Sequence, residues 1–153
     1  MTVSVYLVRH AKAGSRTKWQ GPDEERPLSK PGTRQAKAMA GALEDGVVRI
    51  VSSPFARCRQ TVEPLAARHG VNVESADALA EGATLDDAIT LFEKVASENT
   101  VLCSHGDVIG ALLSHFQHAG VRLDDDRMEK GSTWVLEVDG GVVTGARYLP
   151  PPG

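Results

Sequence analysis

The chain has 153 residues, of which 41% are hydrophobic and 24% are charged, and its formal net charge is −3. This length suits a single domain, and this balance is typical of a soluble globular protein, so a disordered, fibrous or membrane-spanning chain is excluded. The weak negative charge gives no general attraction for nucleic acid or an anionic membrane, so an anionic ligand requires a local cationic site. Two cysteines, Cys58 and Cys103, are too few for a disulfide scaffold and lack metal-binding spacing.

The first predicted element is a strand at residues 3–8, which ends at Arg9 and His10. Its β-branched and aromatic residues, with neither Gly nor Pro among them, favour a strand that is buried on both faces. The segment is too short for a membrane span and has no basic region before it, so we expect a cytoplasmic protein. Residues 14–31 are polar and contain several Gly and Pro residues, which predicts a long surface loop of the kind that is often functional.

Helices and strands alternate after this loop. Ser29 is a suitable N-cap for a first helix that we expect to run to Gly46, and Thr84 is a suitable N-cap for a third helix. Between them, the apolar stripe of residues 57–69 predicts a second helix, which Pro64 should kink or restart. The remaining predicted elements are strands at residues 47–51, 71–73 and 100–103 and a fourth helix from Gly106.

The end of the chain has a different pattern. Residues 133–138 and 142–148 are predicted to pair as a hairpin, ahead of a frayed tail at 150–153. Strands that alternate with helices favour an α/β domain, with a mostly parallel central sheet between helices on both faces. The sequence therefore predicts a three-layer sandwich that forms one domain at residues 1–149, with the C-terminal antiparallel hairpin at the sheet edge.

Unusual polar residues follow three of the predicted strands. Arg9 and His10 follow the first strand, Arg57 lies just beyond the second, and His105 follows the strand at 100–103. Parallel sheets place their sites at the carboxyl ends of the strands, so these side chains can converge at one edge. Two guanidinium groups and two imidazoles suit a dianion, because the arginine fork matches phosphate oxygens and neutral imidazole is a nucleophile toward phosphorus.

Three motifs that contain these residues resemble those of the histidine phosphatase superfamily, which implies a phosphoglycerate mutase-like fold. They lie in the expected order, each after a predicted strand, and the resemblance extends over nearly the whole chain. The motifs are LVRHA at residues 7–11, SSPFARCRQT at 52–61 and VLCSHG at 101–106. The short length and the segment RPLSKPG at residues 26–32 are most similar to the SixA group of phosphohistidine phosphatases.

The resemblance implies a catalytic role for five residues. His10 would be the nucleophile that becomes transiently phosphorylated, and Arg9, Arg57 and His105 would bind the phosphoryl oxygens, so that no metal ion is needed. Glu81 matches the position at which the family often keeps an acid that protonates the leaving group. A phosphorylated imidazole leaves more readily than an alkoxide, so the presence of Glu81 keeps phosphoesters among the candidate substrates.

Other charged and titratable residues have simpler interpretations. Lys12 and Arg16 lie near the first motif in the long loop and are candidate substrate-binding residues. The sequence is equally consistent with ordinary solvated side chains at both positions. Arg59 is predicted to point away from the site. The residues expected to be structural are His69, His115, His118, Cys58 and Cys103.

The resemblance, together with these residues, implies a metal-independent phosphatase with a phosphohistidine intermediate and no cofactor. Residues 70–82 are too few for an inserted helical cap, so we expect an open site that acts on phosphohistidine in a protein. The alternative is a small-molecule phosphomonoester or nucleotide phosphatase that uses Glu81 as its acid. A phosphate-binding module without turnover should lack one of the four core residues, and none is missing. We expect a monomer that binds a phosphorylated protein or small molecule and that binds neither nucleic acid nor a membrane.

The ionisation of His10 leads to a further expectation. The ring must be neutral in order to attack phosphorus, and two neighbouring guanidinium groups should lower its pKa because they disfavour another positive charge. We therefore expect activity to persist to mildly acidic pH.

Overall fold

The computed structural model describes residues 2–43 and 46–152. The strands are β1 (Thr2–Arg9), β2 (Arg49–Ser52), β3 (Val73–Ser75), β4 (Thr100–Ser104), β5 (Thr133–Asp139) and β6 (Val142–Leu149). The helices are α1 (Lys30–Ala40), α2 (Ala56–His69), α3 (Leu85–Val95) and α4 (Gly106–His118). The six strands in this part of the chain form one sheet in the order β3-β2-β4-β1-β5-β6.

The sheet is mostly parallel. Strands β3, β2, β4 and β1 pair in parallel, whereas β5 pairs antiparallel with both β1 and β6. This confirms the predicted sheet with a C-terminal hairpin at its edge. Arg9 at the end of β1 is paired with Ser104 at the end of β4, and Ser52 at the end of β2 is paired with Cys103. The register therefore brings the carboxyl ends of three neighbouring strands to the same edge.

Helices cover both faces of the sheet. Val5 and Leu7 of β1 belong to a core that α3 and α4 cover, whereas Tyr6 and Val8 belong to a second core that α1 and α2 cover. Successive residues of a strand point to opposite faces, so the apolar run in β1 serves both cores at once. The predicted three-layer sandwich is confirmed.

Side chains cap two of the helices as predicted. Ser29 Oγ accepts the N–H of Gly32 at the start of α1, and Thr84 Oγ1 accepts the N–H of Asp87 at the start of α3. Gly32 also meets the loop that follows β1, where a Cβ at this position would overlap the carbonyl oxygen of Lys12. Only glycine fits where the first turn of α1 lies against this loop.

The first helix is shorter than predicted. It ends at Ala40 rather than at Gly46, because the N–H of Gly41 bonds to the carbonyl of Ala38 and turns the chain. Residues 44–45, in the predicted last turn of this helix, lie outside the described residues. The apolar periodicity that continues to residue 43 reflects a buried turn instead of a helix.

Two other predictions around α2 are corrected. The helix runs through Pro64 without a break, because buried residues on either side hold it against the sheet despite the missing N–H. The next strand begins at residue 73 rather than 71, since the N–H of Val71 bonds to the carbonyl of Ala66 and completes the end of α2. A local backbone bond therefore displaces the strand by two residues.

Little regular structure follows the hairpin. Pro150 to Pro152 form neither helix nor strand, and Gly153, the last residue of the predicted tail, lies outside the described residues, as does Met1. None of the helices in the described part of the chain has the length and apolarity needed to cross a membrane.

Candidate active site

The carboxyl ends of β1 and β4 form the floor of the site. The N–H of His10 donates to the carbonyl of Ser104 (3.1 Å), and the N–H of Arg9 donates to the carbonyl of Ser132 (3.0 Å). These backbone bonds hold the first residues beyond the strands, His10 and His105, whose ring centroids lie 5.4 Å apart. Two histidines that are distant in the sequence are therefore neighbours.

His10 has one ring nitrogen engaged and one available. Its Nδ1 lies 2.8 Å from the carbonyl oxygen of Ala11, and because a carbonyl oxygen only accepts, Nδ1 donates and carries the proton. Nε2 therefore keeps its lone pair. Burial first of all, and then electrostatic interactions with His105, Arg57 and Arg9, lower the pKa of His10 from 6.5 to about 3. The direction agrees with the expectation from sequence, but burial has a larger effect than the arginines.

His105 presents its Nδ1 to the site. Ser53 Oγ accepts the N–H of Phe55 (3.2 Å), so its own proton can be donated to Nε2 of His105 at 2.8 Å. The ring proton is then on Nδ1, which lies 3.9 Å from a carboxylate oxygen of Glu81 and has no hydrogen-bond acceptor among the described residues. His105 is therefore a fixed hydrogen-bond donor beside His10.

Arg9 lies against the beginning of α4. Its Nη1 donates to the carbonyl of Met128 (2.7 Å). A Cβ on Gly106 would lie 3.1 Å from the guanidinium carbon of Arg9, so glycine allows the side chain to approach the helix closely. The N-terminus of α4 therefore lies next to a guanidinium group, and both favour an anion.

Arg57 is fully buried and connects α2 to the surrounding loops. Its Nη1 and Nη2 donate to the backbone carbonyl and the carboxylate of Asp23 (2.9 and 3.1 Å), and Nη2 lies 3.4 Å from Glu81. Burial opposes the ionisation of Asp23, but hydrogen bonds from Arg26 and Arg57 outweigh it and hold the pKa of Asp23 below its ordinary value. Arg57 thus holds two carboxylates at the edge of the site.

A cavity of about 510 Å³ lies above these groups. Five of the predicted site residues line it, namely Arg9, His10, Arg16, Glu81 and His105. Glu81 lies between Arg57 and Arg16, whose Nη2 is 3.6 Å from the carboxylate. Arg57 is 0% exposed and does not line the cavity, so its charge acts from behind Glu81.

The cavity is also lined by four residues that were not predicted as site residues from the sequence. These are Arg26, Asp107, Met128 and Lys130. Arg26 opens the segment that is similar to the SixA group, so that segment contained a signal for it. Asp107 directly follows the third motif, and its carboxylate accepts the N–H of Gly82 (2.8 Å), which ties the loop of Glu81 to α4. Met128 and Lys130 come from the loop before β5, where no sequence pattern points to the site.

Lys12 does not lie with the other predicted site residues. It lines a different cavity, together with Pro31 and Arg34. Its N–H donates to the side chain of Gln35, and its carbonyl accepts the N–H of Ser29. These bonds join the backbone of Lys12 to α1, so its side chain lies beside that helix, away from the proposed catalytic cavity.

The residues expected to be structural lie outside the cavity lining. These are His69, His115 and His118. Arg59 is exposed and both cysteines are buried, as expected, although Sγ of Cys58 also lies 3.5 Å from Nε2 of His105. Among the residues that the structure describes, no group of three or more His, Cys, Asp or Glu side chains is placed to hold a metal ion.

Three buried nitrogens at the site lack an acceptor within residues 2–43 and 46–152, namely Nε of Arg9, Nε of Arg57 and Nδ1 of His105. Buried N–H groups in folded proteins nearly always have a partner. A tetrahedral oxyanion carries several strong acceptor oxygens and suits such a group of donors. The arrangement favours a phosphoryl group next to His10.

The sequence is similar to one family of proteins. Residues 5–87 match the family model of the histidine phosphatase superfamily, branch 1. The chain is 37% identical over 158 aligned positions to an 8-oxo-(d)GTP phosphatase of Mycolicibacterium smegmatis, and the match covers 99% of this chain and 49% of that protein. The chain therefore spans about half the length of this relative.

Solved structures share the fold. The structure named as the phosphohistidine phosphatase SixA of Nakamurella multipartitia is 27% identical with a TM-score of 0.68, and the match covers 97% of this chain and 94% of that chain. A phosphoglycerate mutase of Bacillus anthracis is 14% identical with a TM-score of 0.74, covering 99% and 92% of the two chains. This second likeness concerns the fold alone.

Proposed function

We infer the function of this chain from the fact that it belongs to the histidine phosphatase superfamily. We propose that it is a phosphatase in which His10 attacks phosphorus and is transiently phosphorylated. The observation that carries this proposal is the hydrogen bond from Nδ1 of His10 to the carbonyl of Ala11. It keeps the lone pair on Nε2, in a cavity that also contains Arg9 and His105.

The proposed reaction has two steps. In the first, Nε2 of His10 bonds to phosphorus while the bond from phosphorus to the leaving oxygen breaks and Glu81 gives that oxygen a proton. N–H groups of Arg9 and His105 stabilise the charge on the phosphoryl oxygens, and the positive charge of Arg57 adds to this from behind Glu81. In the second, Glu81 takes a proton from water, whose oxygen attacks phosphorus and releases phosphate and His10.

The position of Glu81 supports a small phosphoester or nucleotide as the substrate. An alkoxide leaving group needs a proton, and Glu81 lines the cavity 3.9 Å from Nδ1 of His105. The relative that is 37% identical over almost the whole chain is named as a phosphatase of a nucleotide, 8-oxo-(d)GTP. We therefore propose this class ahead of the phosphohistidine that the sequence analysis favoured.

Phosphohistidine in a protein is the second candidate. The SixA structure is 27% identical over 97% of this chain, which supports it. Residues 70–82 contain β3 and a 3₁₀ turn at Asp77–Leu79, and no cap of helices covers the cavity from this segment. A protein substrate requires such access.

Covalent labelling tests the nucleophile. After mixing with a radiolabelled phosphoester and quenching in alkali, the wild-type protein should carry a base-stable, acid-labile label, which His10→Gln should lack. His118→Gln, which changes an exposed histidine of α4, is the matched control and should keep the label. Label that persists in His10→Gln would refute the proposal.

A leaving-group series tests the substrate class. Nucleotides, an alkyl phosphate and a phosphohistidine protein are compared by kcat/KM in EDTA, for wild type, Glu81→Gln and the exposed-surface control Glu93→Gln. We expect Glu81→Gln to lower kcat/KM for the alkyl phosphate by about 100-fold and for the phosphohistidine protein far less, since only the alkoxide needs the acid. A wild-type preference for the phosphohistidine protein would favour the second candidate.

A further inference from the structure

Lys130 is one of the residues that line the cavity. It belongs to the loop between α4 and β5, and the next residue, Gly131, donates its N–H to the carbonyls of Arg9 (3.1 Å) and His10 (3.0 Å). The backbone of this loop is thereby tied to the residues at the end of β1. Among the described residues, no hydrogen bond or ion pair involves the ammonium group of Lys130, although it lines the cavity.

Positive charge is concentrated around this lysine. Lys130 is exposed to solvent, and partial burial first, and then the charges of Arg9, Arg26, Arg16 and Arg57, lower its pKa. An anion bound among these cations would reduce their mutual repulsion. The carboxylates nearby are engaged elsewhere.

Those carboxylates are Asp23, Glu81 and Asp107, and the last of them accepts the N–H of Gly82 at 2.8 Å. Asp23 accepts from Arg26 (3.0 Å) and Arg57 (3.1 Å), and Glu81 contacts Arg57 at 3.4 Å. Arg16 makes only the longer contacts of 3.6 Å to Glu81 and 3.9 Å to Asp23, and its side chain is 65% exposed. Arg9 contacts no carboxylate among the described residues either, but its Nη1 donates to the carbonyl of Met128 and it is assigned above to the reacting phosphoryl group. Lys130 and Arg16 are the cations of the cavity that remain for a further anion.

One phosphate group does not use all of these cations. A phosphoryl group beside His10 is already served by the unpartnered nitrogens of Arg9 and His105, which both line the cavity. The cavity of about 510 Å³ falls in the size range of sites for drug-sized ligands, well above the size of a single phosphate. The cavity therefore has room for a second anionic group of the same substrate, and Lys130 and Arg16 can supply the positive charge that such a group needs.

We propose that Lys130 and Arg16 bind a second phosphate, linked to the phosphorus that His10 attacks. This inference rests on the proposed function and names its substrate class, which is compounds with two adjoining phosphates such as nucleoside diphosphates. Nε2 of His10 bonds to the terminal phosphorus, and the bond from that phosphorus to the bridging oxygen breaks. The electron pair stays on the bridging oxygen of the departing phosphate, and the two cations stabilise its added charge. Water then displaces His10 and forms inorganic phosphate.

Binding without turnover provides the first test. Calorimetry in EDTA compares orthophosphate with methylenediphosphonate, whose carbon bridge cannot be cleaved, on the wild-type protein. We expect the diphosphonate to bind at least about tenfold more tightly, and Lys130→Gln to remove most of this difference. Lys94→Gln, an exposed lysine of α3, is the matched control and should keep it. Equal affinity for the two anions, or a difference that Lys130→Gln retains, would overturn the proposal.

Kinetics provides the second test. The ratio of kcat/KM for a nucleoside diphosphate to that for the corresponding monophosphate should exceed about ten and should fall about tenfold in Lys130→Gln. Lys130→Arg keeps the charge and should retain a larger share of the ratio, which separates loss of charge from loss of folding. A parallel fall for both nucleotides would contradict the subsite.

The two proposals fail in different ways. If the diphosphonate binds tightly through Lys130 and no nucleotide is hydrolysed, the subsite stands and the proposed function fails. If nucleotides are hydrolysed without a diphosphate preference, the proposed function stands and the subsite fails.

Discussion

The cavity has two halves that are built in different ways. The strand-end half consists of Arg9, His10 and His105, and its two histidines are only 6% and 1% exposed. The loop half consists of Arg16 and Glu81, with Asp23 behind them, and their side chains are 65%, 40% and 34% exposed. Backbone bonds in the register of β1 and β4 hold the first half, whereas ion pairs hold the second.

The difference between the two halves suggests that one half carries out the reaction at phosphorus and the other recognises the leaving group. Groups fixed by a sheet cannot adapt, so they suit a step that needs constant geometry around phosphorus. Exposed ion pairs contribute little to stability and are screened by salt, so they suit the recognition of variable leaving groups. Changes in the strand-end half should therefore reduce turnover of all substrates, and changes in the loop half should alter the choice among them.

After loss of the proposed nucleophile His10, removal of His105 should have the largest effect. His105→Ala loses the Nδ1 donor beside His10, and a lost transition-state donor lowers kcat by about 10²–10³-fold. The decrease should be similar for every substrate, as measured by kcat on a nucleotide and an aryl phosphate. His115→Ala, on the exposed side of α4, is the control. A decrease confined to one substrate would assign His105 to recognition and break the comparison.

The free energy of unfolding should fall on acidification because His10 is buried in its neutral form. Its pKa is about 3 in the folded state and 6.5 ordinarily, so between these values the unfolded chain binds a proton that the folded chain does not. This contribution is complete above pH 6.5 and is lost as the pH falls toward 3. Urea unfolding at several pH values should show a weaker decline in His10→Gln, while wild-type turnover persists at mildly acidic pH. Identical pH profiles for the two proteins would contradict the burial of a neutral His10.

Gly32→Ala should perturb the loop half from a distance. The new Cβ would overlap the carbonyl of Lys12, so α1 and the loop after β1 must separate, at a cost of about 1–3 kcal/mol in unfolding free energy. Gly145→Ala, where nothing lies within 4 Å of the added Cβ, is the matched control. KM should rise more than kcat falls, because the displaced loop carries Arg16. A reversed pattern would show that the loop supports the strand-end half directly.

Lys12→Gln should have the smallest effect. Its side chain lies with Pro31 and Arg34 outside the catalytic cavity, so kcat/KM should change by less than about twofold. Steady-state kinetics on a nucleotide measures it, with Lys37→Gln on α1 as the control. A rise in KM of more than about tenfold would show that the loop brings Lys12 to the substrate.

The strand-end half was accessible from sequence. Its members lie within two residues of the end of an apolar run, and the rule that parallel strands end at one edge was enough to bring Arg9, His10 and His105 together. The same rule places Arg57 near this edge, because it lies just beyond β2. Its contacts with Asp23 depend on how the loop at residues 14–31 folds, which the rule does not predict.

The loop half was accessible only in part. Lys12 and Arg16 have the same charge and lie in the same loop, yet only Arg16 lines the cavity, because hydrogen bonds to α1 hold the backbone of Lys12. Lys130 reaches the cavity through the backbone bonds of Gly131, which no side-chain pattern records. The correction at Pro64 has the same origin, since packing on the sheet outweighed a local preference.

The unpartnered nitrogens of Arg9, Arg57 and His105 have a consequence for folding. These donors are brought together only in the folded chain, so an oxyanion that they bind stabilises the folded state. The gain is about 2.7 kcal/mol at a concentration 100 times the dissociation constant of the oxyanion. Cellular phosphate would then act as a folding aid for this chain, raising the amount of protein that escapes proteolysis before any substrate is met.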